Sequence, residues 1–255
     1  MTIKKWFGSI FIYIMRLRES SFILVYHRIE NYQGGLHSLY TSPSFFDWQM
    51  RYLYRQGYQG VSLAELGAAI RQGQDIGRKF AITFDDGYED NFFNAYPVLK
   101  KYNFRATVFV HTAAVGKSFS YPRMPAAPLM DWEQLRQLSQ EWEIGSHTVT
   151  HQNLARESNA VIEQELKESK EILEKNLAIS VKSFSYPFGE VFAGYREMLT
   201  RYGYENAVSL KPGLVRTSEQ DFLALPRLEW KSIWHSSFRN HWKNRLLYRK
   251  IFLGY

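Results

Sequence analysis

Short apolar runs alternate with longer amphipathic stretches along most of this chain. Continuous apolar runs predict buried strands, and we place strands at residues 22–26, 79–84, 106–110, 143–146, 181–186 and 207–209. Apolar positions at helical spacing predict helices at residues 45–57, 62–70, 91–102, 131–139, 158–176 and 192–202. Val61 is expected to start a further element. Strands that alternate with helices indicate βα units around a parallel sheet or barrel.

Short polar side chains stand where three of these helices are expected to begin. Ser62, Asp131 and Ser158 can each accept a hydrogen bond from the first helical turn, as capping residues do. The stretch 112–130 is rich in Pro, Ser and Ala and predicts a loop. The chain contains no internal repeat, and its 255 residues suit one domain with short extensions.

Polar side chains follow several of the predicted strands. Asp85 and Asp86 come directly after the strand at 79–84, and His147 follows the strand at 143–146. In parallel α/β folds, the carboxyl ends of the strands form the face that carries the active site. We therefore expect these side chains to lie close together.

Two of these groups have the composition of a metal site. Adjacent carboxylates at Asp85 and Asp86 point in different directions, so that one can bind a metal while the other contacts a water, although Asp-Asp-Gly also forms ordinary turns. His147 and His151 are four residues apart and can reach one point, although two surface histidines could share this spacing. Two histidines and one aspartate leave a coordination position open for water or substrate, which is typical of catalytic sites.

Composition narrows the chemistry of such a site. The chain has no cysteine, which excludes disulfides and thiolate ligands, so that any metal must be held by His and carboxylate groups. A hydrophobic content of 45% and a charged content of 22% are ordinary for a globular protein and argue against global disorder. Aromatic residues make up 16%, a high share that suits a core, a sugar-binding groove or a membrane-facing surface.

The net charge of +7 comes from the two ends of the chain. The first eighteen residues and the stretch 231–255 contain basic residues and no acidic ones. We predict an amphipathic segment at 1–20, one folded domain at 21–230 and a basic, aromatic C-terminal extension at 231–255. These termini suit peripheral membrane contact, whereas no nucleic-acid-binding motif is found.

The run at residues 6–15 is shorter than the roughly 20 apolar residues that span a bilayer. It is followed by arginines and by no small-residue cleavage site, so that we expect no cleavable signal peptide. A cytoplasmic location, or one peripheral to the inner membrane, is the expectation.

Three motifs together resemble a known family. Thr-Phe-Asp-Asp-Gly at 83–87, Ser-His-Thr-Val-Thr-His at 146–151 and Phe-Ser-Tyr-Pro-Phe-Gly at 184–189 are similar to motifs of the polysaccharide deacetylases, the NodB-homology or fourth carbohydrate esterase family. The likeness extends over residues 22–230. It implies an α/β fold, a deformed (β/α)7-type barrel.

The resemblance also implies a role for each motif residue. Asp85 would be the catalytic base, and Asp86, His147 and His151 would bind a divalent metal ion. The backbone N–H of Phe188 would help to stabilise the oxyanion. The metal would be zinc in the first instance, with nickel, cobalt or iron as alternatives, because such a ligand set accepts several divalent ions.

The leaving amine needs a proton donor, for which the chain offers two histidines. Many relatives use a histidine near the C-terminus, where His235 follows only a poor strand. His27 ends the apolar strand at 22–26 and is the better match. This placement resembles the permuted branch of the family, which includes exopolysaccharide N-deacetylases. The alternative for His27 is a histidine that merely ends a buried strand.

The third motif departs from the family pattern. Many relatives have, two residues before the proline, an arginine that orients the catalytic aspartate, whereas this chain has Ser185. Arg227, at another expected strand end, is our hypothesis for the group that orients Asp85. The family's fourth motif has no clear match, and Trp230 is only a loose candidate. Tyr88 could line the sugar site or belong to the core. Three histidines have no partner in sequence and are interpreted as structural or surface residues: His37, His111 and His241.

The sequence therefore predicts a metal-dependent hydrolase that removes N-acetyl groups from an aminosugar in a polysaccharide or glycolipid. One alternative is a deformylase of a lipid-linked aminosugar, which the same site would serve. Another is a glycan-binding module without catalytic activity, against which the complete set of site residues argues.

Overall fold

The computed structural model describes residues 20–216 and 220–229 of the 255-residue chain. The predicted N-terminal segment apart from Ser20, the predicted extension at 231–255, and residues Trp230, His235 and His241 lie outside this part. No helix of the described residues is both long and apolar enough to cross a bilayer.

Short strands and helices alternate along the described chain. The strands are β1 (Ser20–Ser21), β2 (Ile23–Tyr26), β3 (Gln59–Val61), β4 (Lys79–Phe84), β5 (Thr107–Val110), β6 (Ser118–Phe119), β7 (Ala127–Pro128), β8 (Glu143–Ser146), β9 (Ser183–Ser185), β10 (Asn206–Val208) and β11 (Val215–Arg216). The α-helices are α1 (Pro43–Arg55), α2 (Leu63–Arg71), α3 (Tyr96–Lys101), α4 (Trp132–Leu138), α5 (Asn159–Leu177) and α6 (Tyr195–Arg201).

The central sheet is parallel and curled. Its strand order is β10-β9-β8-β5-β4-β2, and β3 pairs with the first half of β4. Parallel bridges join Val208 to Leu225 and Leu24 to Leu228, so that the segment 225–228 connects the two edge strands. The predicted α/β architecture of a deformed (β/α)-type barrel is confirmed. The short strands β1 and β11 form a separate antiparallel pair.

Burial on both faces explains why the strands are apolar runs rather than alternating ones. All four residues of β2 are buried, as are the last five of β4. Helices cover the sheet, and the core continues between them, where the rings of Phe84 and Trp142 stack with their centroids 5.3 Å apart. The carboxyl ends of β2, β4, β8 and β9 lead directly into the residues that carry candidate chemistry.

The three predicted helix caps are confirmed. Ser62 and Asp131 each form a reciprocal capping box, with Glu65 and Gln134 respectively, and Ser158 accepts from the backbone N–H of Val161 at the start of α5.

The predicted helix at 91–102 is wrong in its first half. Residues Asn91–Ala95 form a π-helical turn, and the α-helix begins only at Tyr96. Pro97 lacks a backbone N–H and its ring crowds the carbonyl four residues earlier, which disfavours regular α-helical bonding at this point.

Three smaller predictions are also wrong. Val61 ends β3 instead of starting an element. The helix expected at 192–202 begins at Tyr195, because Gly194 has a left-handed backbone, with φ of 74°. The stretch 112–130 is not a simple loop, since β6 and β7 pair within it as an antiparallel hairpin. Each strand of this hairpin has only two residues, which is too short for a periodic pattern.

Candidate active site

Asp86, His147 and His151 converge at the carboxyl ends of β4 and β8. The Oδ1 atom of Asp86 lies 3.5 Å from His147 Nε2 and 3.3 Å from His151 Nε2. One potential ligand atom from each residue lies within 4.8 Å of the others, and all three side chains are buried. Because both imidazoles approach the same carboxylate oxygen, the three groups can bind one ion.

Left-handed backbone conformations are concentrated at this site. The φ angle is 71° at Asp86, 71° at Thr148, 61° at His151 and 60° at Phe188. A non-glycine residue in such a region costs about 1–3 kcal/mol and persists only where its surroundings hold it. The local backbone is therefore maintained by tertiary contacts, which direct these side chains toward a common point.

Glu165 of α5 provides much of that support. Its Oε2 accepts the backbone N–H groups of Val149 at 2.7 Å and Thr150 at 3.0 Å, and its Oε1 accepts the Thr150 hydroxyl at 2.6 Å. Within the same turn, Thr148 Oγ1 accepts the backbone N–H of His151 at 2.9 Å. The turn that carries both histidines is thus attached to a helix through one buried carboxylate.

The second ring nitrogen of His147, Nδ1, also has a hydrogen-bond partner. His147 Nδ1 lies 2.7 Å from the backbone oxygen of Ser185, which can only accept. Nδ1 therefore carries the hydrogen, and the lone pair of the neutral ring is on Nε2, which faces Asp86. Metal-binding histidines show the same arrangement, since their second nitrogen donates to a carbonyl or carboxylate. The residues present fit a divalent ion held by one oxygen and two nitrogens.

The charges of the cluster favour a cation. Burial by itself would raise the pKa of Asp86, but hydrogen bonds from His147 and His151 outweigh it and hold this pKa well below its usual range. Burial disfavours a proton on His147, yet the carboxylates of Asp86 and Asp85 raise its pKa overall. For His151 burial dominates and lowers the pKa. The same negative potential that favours a proton on His147 favours a metal ion between the ligands.

Asp85 and Arg227 form a bidentate ion pair. Nη1 of Arg227 donates to Asp85 Oδ1 at 2.8 Å and Nη2 donates to Oδ2 at 2.7 Å. Ser185 Oγ donates to Oδ1 at 3.1 Å, and Arg227 is fixed further by Thr83 Oγ1 and by the backbone oxygen of Ser209. Burial tends to raise the pKa of Asp85, but the charge of Arg227 outweighs it and the pKa is lowered. Asp85 is therefore an oriented carboxylate.

His27 lies beside this carboxylate. Its Nε2 is 4.0 Å from Asp85 Oδ2, and its side chain is 13% exposed, so that it reaches the surface of the site. The backbone around it is fixed from the segment after the Asp-Asp-Gly turn. Asn91 Nδ2 donates to the His27 carbonyl at 2.8 Å, and the Arg28 guanidinium pairs with Asp90 at 2.8 Å.

Phe188 stands at the mouth of the site. It lies in a 3-10 turn, Pro187–Gly189, that directly follows β9. Its side chain is 50% exposed and its ring centroid is 5.0 Å from that of His151. The predicted site residues His27, Asp85, Asp86, His147, His151, Phe188 and Arg227 are thus all brought to one end of the sheet.

Tyr121 belongs to the site, although no motif pointed to it. Its hydroxyl oxygen lies 3.1 and 3.0 Å from the two carboxylate oxygens of Asp86 and 3.3 Å from His151 Nε2. The sequence predicts only a loop for the segment around it. The role of Glu165 was missed too, because its position on a predicted helix gave no sign of which backbone groups it would meet.

His111 lies next to the candidate metal cluster, in the interior rather than at the surface. It is buried, its ring centroid is 5.5 Å from that of His151, and burial lowers its pKa to about 3. Tyr88 is buried with Ala127 and Leu129. Of its two predicted roles, the structure therefore favours the one in the core. His37 is exposed.

Comparisons with known proteins agree on one class. A family model described as polysaccharide deacetylase matches residues 72–207. YxkH of Bacillus subtilis strain 168, whose name assigns it to the polysaccharide deacetylases, is 31% identical over 208 residues, 81% of this chain and 70% of that protein. The poly-beta-1,6-N-acetyl-D-glucosamine N-deacetylase of Staphylococcus aureus strain MRSA252 is 26% identical over 223 residues, 84% of this chain and 75% of that one. The solved structure of the Streptococcus pyogenes deacetylase PplD in complex with acetate is 27% identical, with a TM-score of 0.73 over 82% of this chain and 92% of that chain.

Proposed function

Because this chain belongs to the polysaccharide deacetylase family, we propose that it is a metal-dependent hydrolase that removes N-acetyl groups from an aminosugar in a polysaccharide or glycolipid. The membership confirms the resemblance that the sequence motifs indicated. One observation carries the proposal: the oriented carboxylate of Asp85 lies beside the buried cluster of Asp86, His147 and His151.

The cluster would hold a divalent ion through Asp86 Oδ1 and the Nε2 atoms of both histidines. A bound ion supplies a Lewis acid that polarises the amide carbonyl and lowers the pKa of a coordinated water. One oxygen and two imidazole nitrogens suit zinc in a catalytic site, and nickel, cobalt and iron are alternatives.

Asp85 is placed to accept the proton of the attacking water. An ionised carboxylate has about four lone-pair positions on its two oxygens. In the described residues, Oδ1 accepts from Arg227 and Ser185, whereas Oδ2 accepts from Arg227 alone. We therefore assign proton uptake to Oδ2, which also faces His27. Arg227 acts as a positioning residue, because it touches Asp85 and holds its plane in one orientation.

His27 is placed to protonate the leaving nitrogen. As the carbon–nitrogen bond breaks, the amine needs a proton, which a protonated imidazole can donate. His27 Nε2 lies 4.0 Å from Asp85 Oδ2, so that acid and base stand side by side and can both reach one scissile amide in front of them. The backbone N–H of Phe188 would donate to the developing oxyanion, as fixed dipoles do in acyl transfer. The products are a carboxylate, acetate in this proposal, and a free amine on the sugar.

A relative with a named substrate supports the substrate class. The Staphylococcus aureus relative is named for the N-deacetylation of a poly-N-acetylglucosamine. We propose a glycan of N-acetylated aminosugars for this chain as well.

The basic, aromatic stretches at 1–20 and 231–255 lead us to propose peripheral contact with the inner membrane. Flotation with anionic liposomes tests this, and unchanged association of a chain ending near residue 230 would remove the C-terminal stretch from the argument.

Acetate release tests the central proposal. Chelator-treated protein is incubated with N-acetylated polysaccharides and glycolipids, before and after addition of Zn²⁺, Co²⁺, Ni²⁺ or Fe²⁺. We expect acetate to appear only after an ion is added, and the Asp85→Asn variant to bind the ion without releasing acetate. Formate release from formylated glycolipids, without acetate release, would assign the site to a deformylase instead. Glycan binding without hydrolysis under every condition would indicate a binding module and end the enzymatic proposal.

A further inference from the structure

A small hairpin brings Tyr121 into the cluster of candidate metal ligands. The hairpin, here called the Tyr121 hairpin, consists of residues 118–128 and is paired through Ser118 with Pro128 and through Phe119 with Ala127. Its tip is a turn in which the backbone N–H of Met124 donates to the Tyr121 carbonyl at 3.0 Å.

The base of the hairpin is fixed next to the Asp-Asp-Gly turn. Leu129 forms an antiparallel bridge with Tyr88, and the backbone N–H of Met130 donates to the carbonyl of Gly87 at 3.0 Å. Because Gly87 directly follows Asp86, the hairpin starts from the same piece of backbone that positions a metal ligand. The base of the hairpin is therefore fixed relative to the cluster, and these bonds do not reach its tip.

The Tyr121 hydroxyl is as close to the ligand atoms as they are to one another. It lies 3.0–3.1 Å from the oxygens of Asp86 and 3.3 Å from His151 Nε2, whereas Asp86 Oδ1 and His151 Nε2 are themselves 3.3 Å apart. The hydroxyl oxygen thus forms a further corner of the polar cluster. Its ring is supported by Phe119, at 5.1 Å between centroids, and by Phe188, at 6.4 Å.

A three-ligand metal site works only if a further position is accessible to water and to the substrate carbonyl. We propose that the Tyr121 hydroxyl, held by its hydrogen bonds to Asp86, blocks access to this position in the resting enzyme without binding the ion, and that water and substrate gain access when it withdraws. Tyr121 is then a displaceable gate of the metal site, and not a ligand. This inference rests on the proposed function, because it presumes that the cluster binds an ion.

The construction of the hairpin suits such movement. Two residue pairs join its strands, so that few backbone hydrogen bonds resist displacement of the tip. The tip packs against a segment with two successive glycines of left-handed backbone, Gly34 with φ of 124° and Gly35 with φ of 80°. A Cβ added at Gly35 would lie 2.5 Å from Met124 Cγ, so that a side chain there would press against the tip.

The test compares Tyr121→Phe with the wild type and with Tyr54→Phe. Phenylalanine keeps the ring and removes only the hydroxyl. Tyr54 is an exposed tyrosine near the end of α1, and it packs against Phe104 before the amino end of β5, away from the site. Calorimetry on chelator-treated protein gives the affinity for Zn²⁺, and titration of the zinc-loaded protein with acetate gives the affinity for an oxygen ligand at the exposed position.

We expect Tyr121→Phe to bind acetate about tenfold more tightly, since a hydrogen bond to a charged carboxylate no longer has to be broken, and about 1.4 kcal/mol corresponds to a factor of ten. Zinc affinity should be equal or higher, and Tyr54→Phe should match the wild type in both titrations. A fall in zinc affinity would overturn the gate, because the hydroxyl would then be a ligand or a support of Asp86. Unchanged acetate affinity would overturn it as well.

The two proposals fail in different ways. If the wild-type chain binds none of the divalent ions, the metal-dependent function is lost and the gate with it. If the wild type binds zinc and releases acetate from glycans, but Tyr121→Phe leaves acetate affinity unchanged, only the gate is lost. Visible absorption of the Co²⁺-loaded proteins gives a second measurement, since acetate entry should alter the spectrum of Tyr121→Phe at lower acetate concentration than that of the wild type.

Discussion

Arg227 and Asp85 are 142 positions apart in sequence and form two parallel hydrogen bonds of 2.8 and 2.7 Å in the buried floor of the site. Many relatives supply such an arginine from the third motif, where this chain has Ser185, and the Ser185 hydroxyl here donates to the same carboxylate. The guanidinium arrives instead from the segment 225–228 that joins the edge strands. The orientation of Asp85 is therefore coupled to closure of the sheet.

Replacement of Arg227 should weaken catalysis through Asp85. In Arg227→Lys the charge remains but the two-point contact is lost, and we expect kcat to fall about a hundredfold, as small misplacements of a catalytic group do. The charge of Arg227 and, after it, its hydrogen bonds lower the pKa of Asp85; the lysine keeps the charge but loses the paired hydrogen bonds, so that this pKa rises in part and the acidic limb of the pH–kcat/KM profile moves to higher pH. Arg201→Lys, which alters an exposed ion pair, is the control. An unshifted profile with full turnover would show that Arg227 does not position the base.

Glu165→Gln should loosen the turn that carries both histidines. An amide has one acceptor oxygen, so that it cannot accept the two backbone N–H groups and the Thr150 hydroxyl as the carboxylate does. We expect zinc affinity, measured by competition with a chelator, to fall about ten- to a hundredfold, which is usual when support of a metal ligand is removed. Glu168→Gln on the same helix is the matched control. Equal zinc affinity in both variants would contradict the supporting role.

Asp90→Asn should impair the proposed acid, His27, and leave metal binding unchanged. The buried guanidinium of Arg28 would lose its ionised partner, which costs about 3–5 kcal/mol of folding free energy in buried pairs. Because Arg28 directly follows His27, we expect kcat to fall while zinc affinity stays at the wild-type value. Chemical denaturation, steady-state kinetics and metal titration measure the three quantities. Asp47→Asn, at a surface ion pair, serves as control. A loss of zinc affinity in Asp90→Asn would show that Asp90 supports the metal cluster as well as the segment of His27.

His111 should make the folded protein sensitive to acid. Its pKa is about 3 in the folded state, against about 6.5 for an unperturbed histidine. Between these two pH values the unfolded chain takes up a proton that the folded chain does not. The contribution of His111 to the free energy of unfolding is therefore complete above pH 6.5. It is lost as the pH falls toward 3, by about 1.4 kcal/mol per pH unit.

His111→Leu should therefore flatten the decline of the free energy of unfolding below pH 6.5. At pH 7.5 the change should be small, since His111 Nε2 has no hydrogen-bond partner in the described part of the chain. Denaturant titrations of chelator-treated protein across this pH range measure the effect, with the exposed His37→Leu as control. An identical pH dependence in His111→Leu and the wild type would contradict the assignment.

The sequence was most informative where a local pattern determines structure. Apolar runs and capping residues located most strands and helices, because burial on both faces and the first turn of a helix each leave a short-range signature. The motif spacing predicted that Asp86, His147 and His151 would meet, and their ligand atoms lie within 4.8 Å of one another.

Tertiary packing determined what the sequence could not predict. Tyr121 lies in a stretch without periodicity, and only the pairing of two very short strands directs it at Asp86. Glu165 has the spacing of an ordinary helix residue, and its partners become visible only when α5 packs beside the turn of the histidines. The absence of an arginine at position 185 pointed to Arg227. Its contact with Asp85 depends on the segment 225–228, which is distant in sequence from the Asp-Asp-Gly motif.

The pairing of residues 23–26 with residues 225–228 determines when, during translation, the site can be completed. A nascent chain that has emerged beyond residue 151 already carries all three candidate ligands, whereas Asp85 receives its guanidinium only after residue 227 has left the ribosome. The arginine that orients Asp85 is therefore made later than every residue of the candidate cluster. A chain that stops before residue 227 contains the three candidate ligands but lacks the guanidinium that orients Asp85.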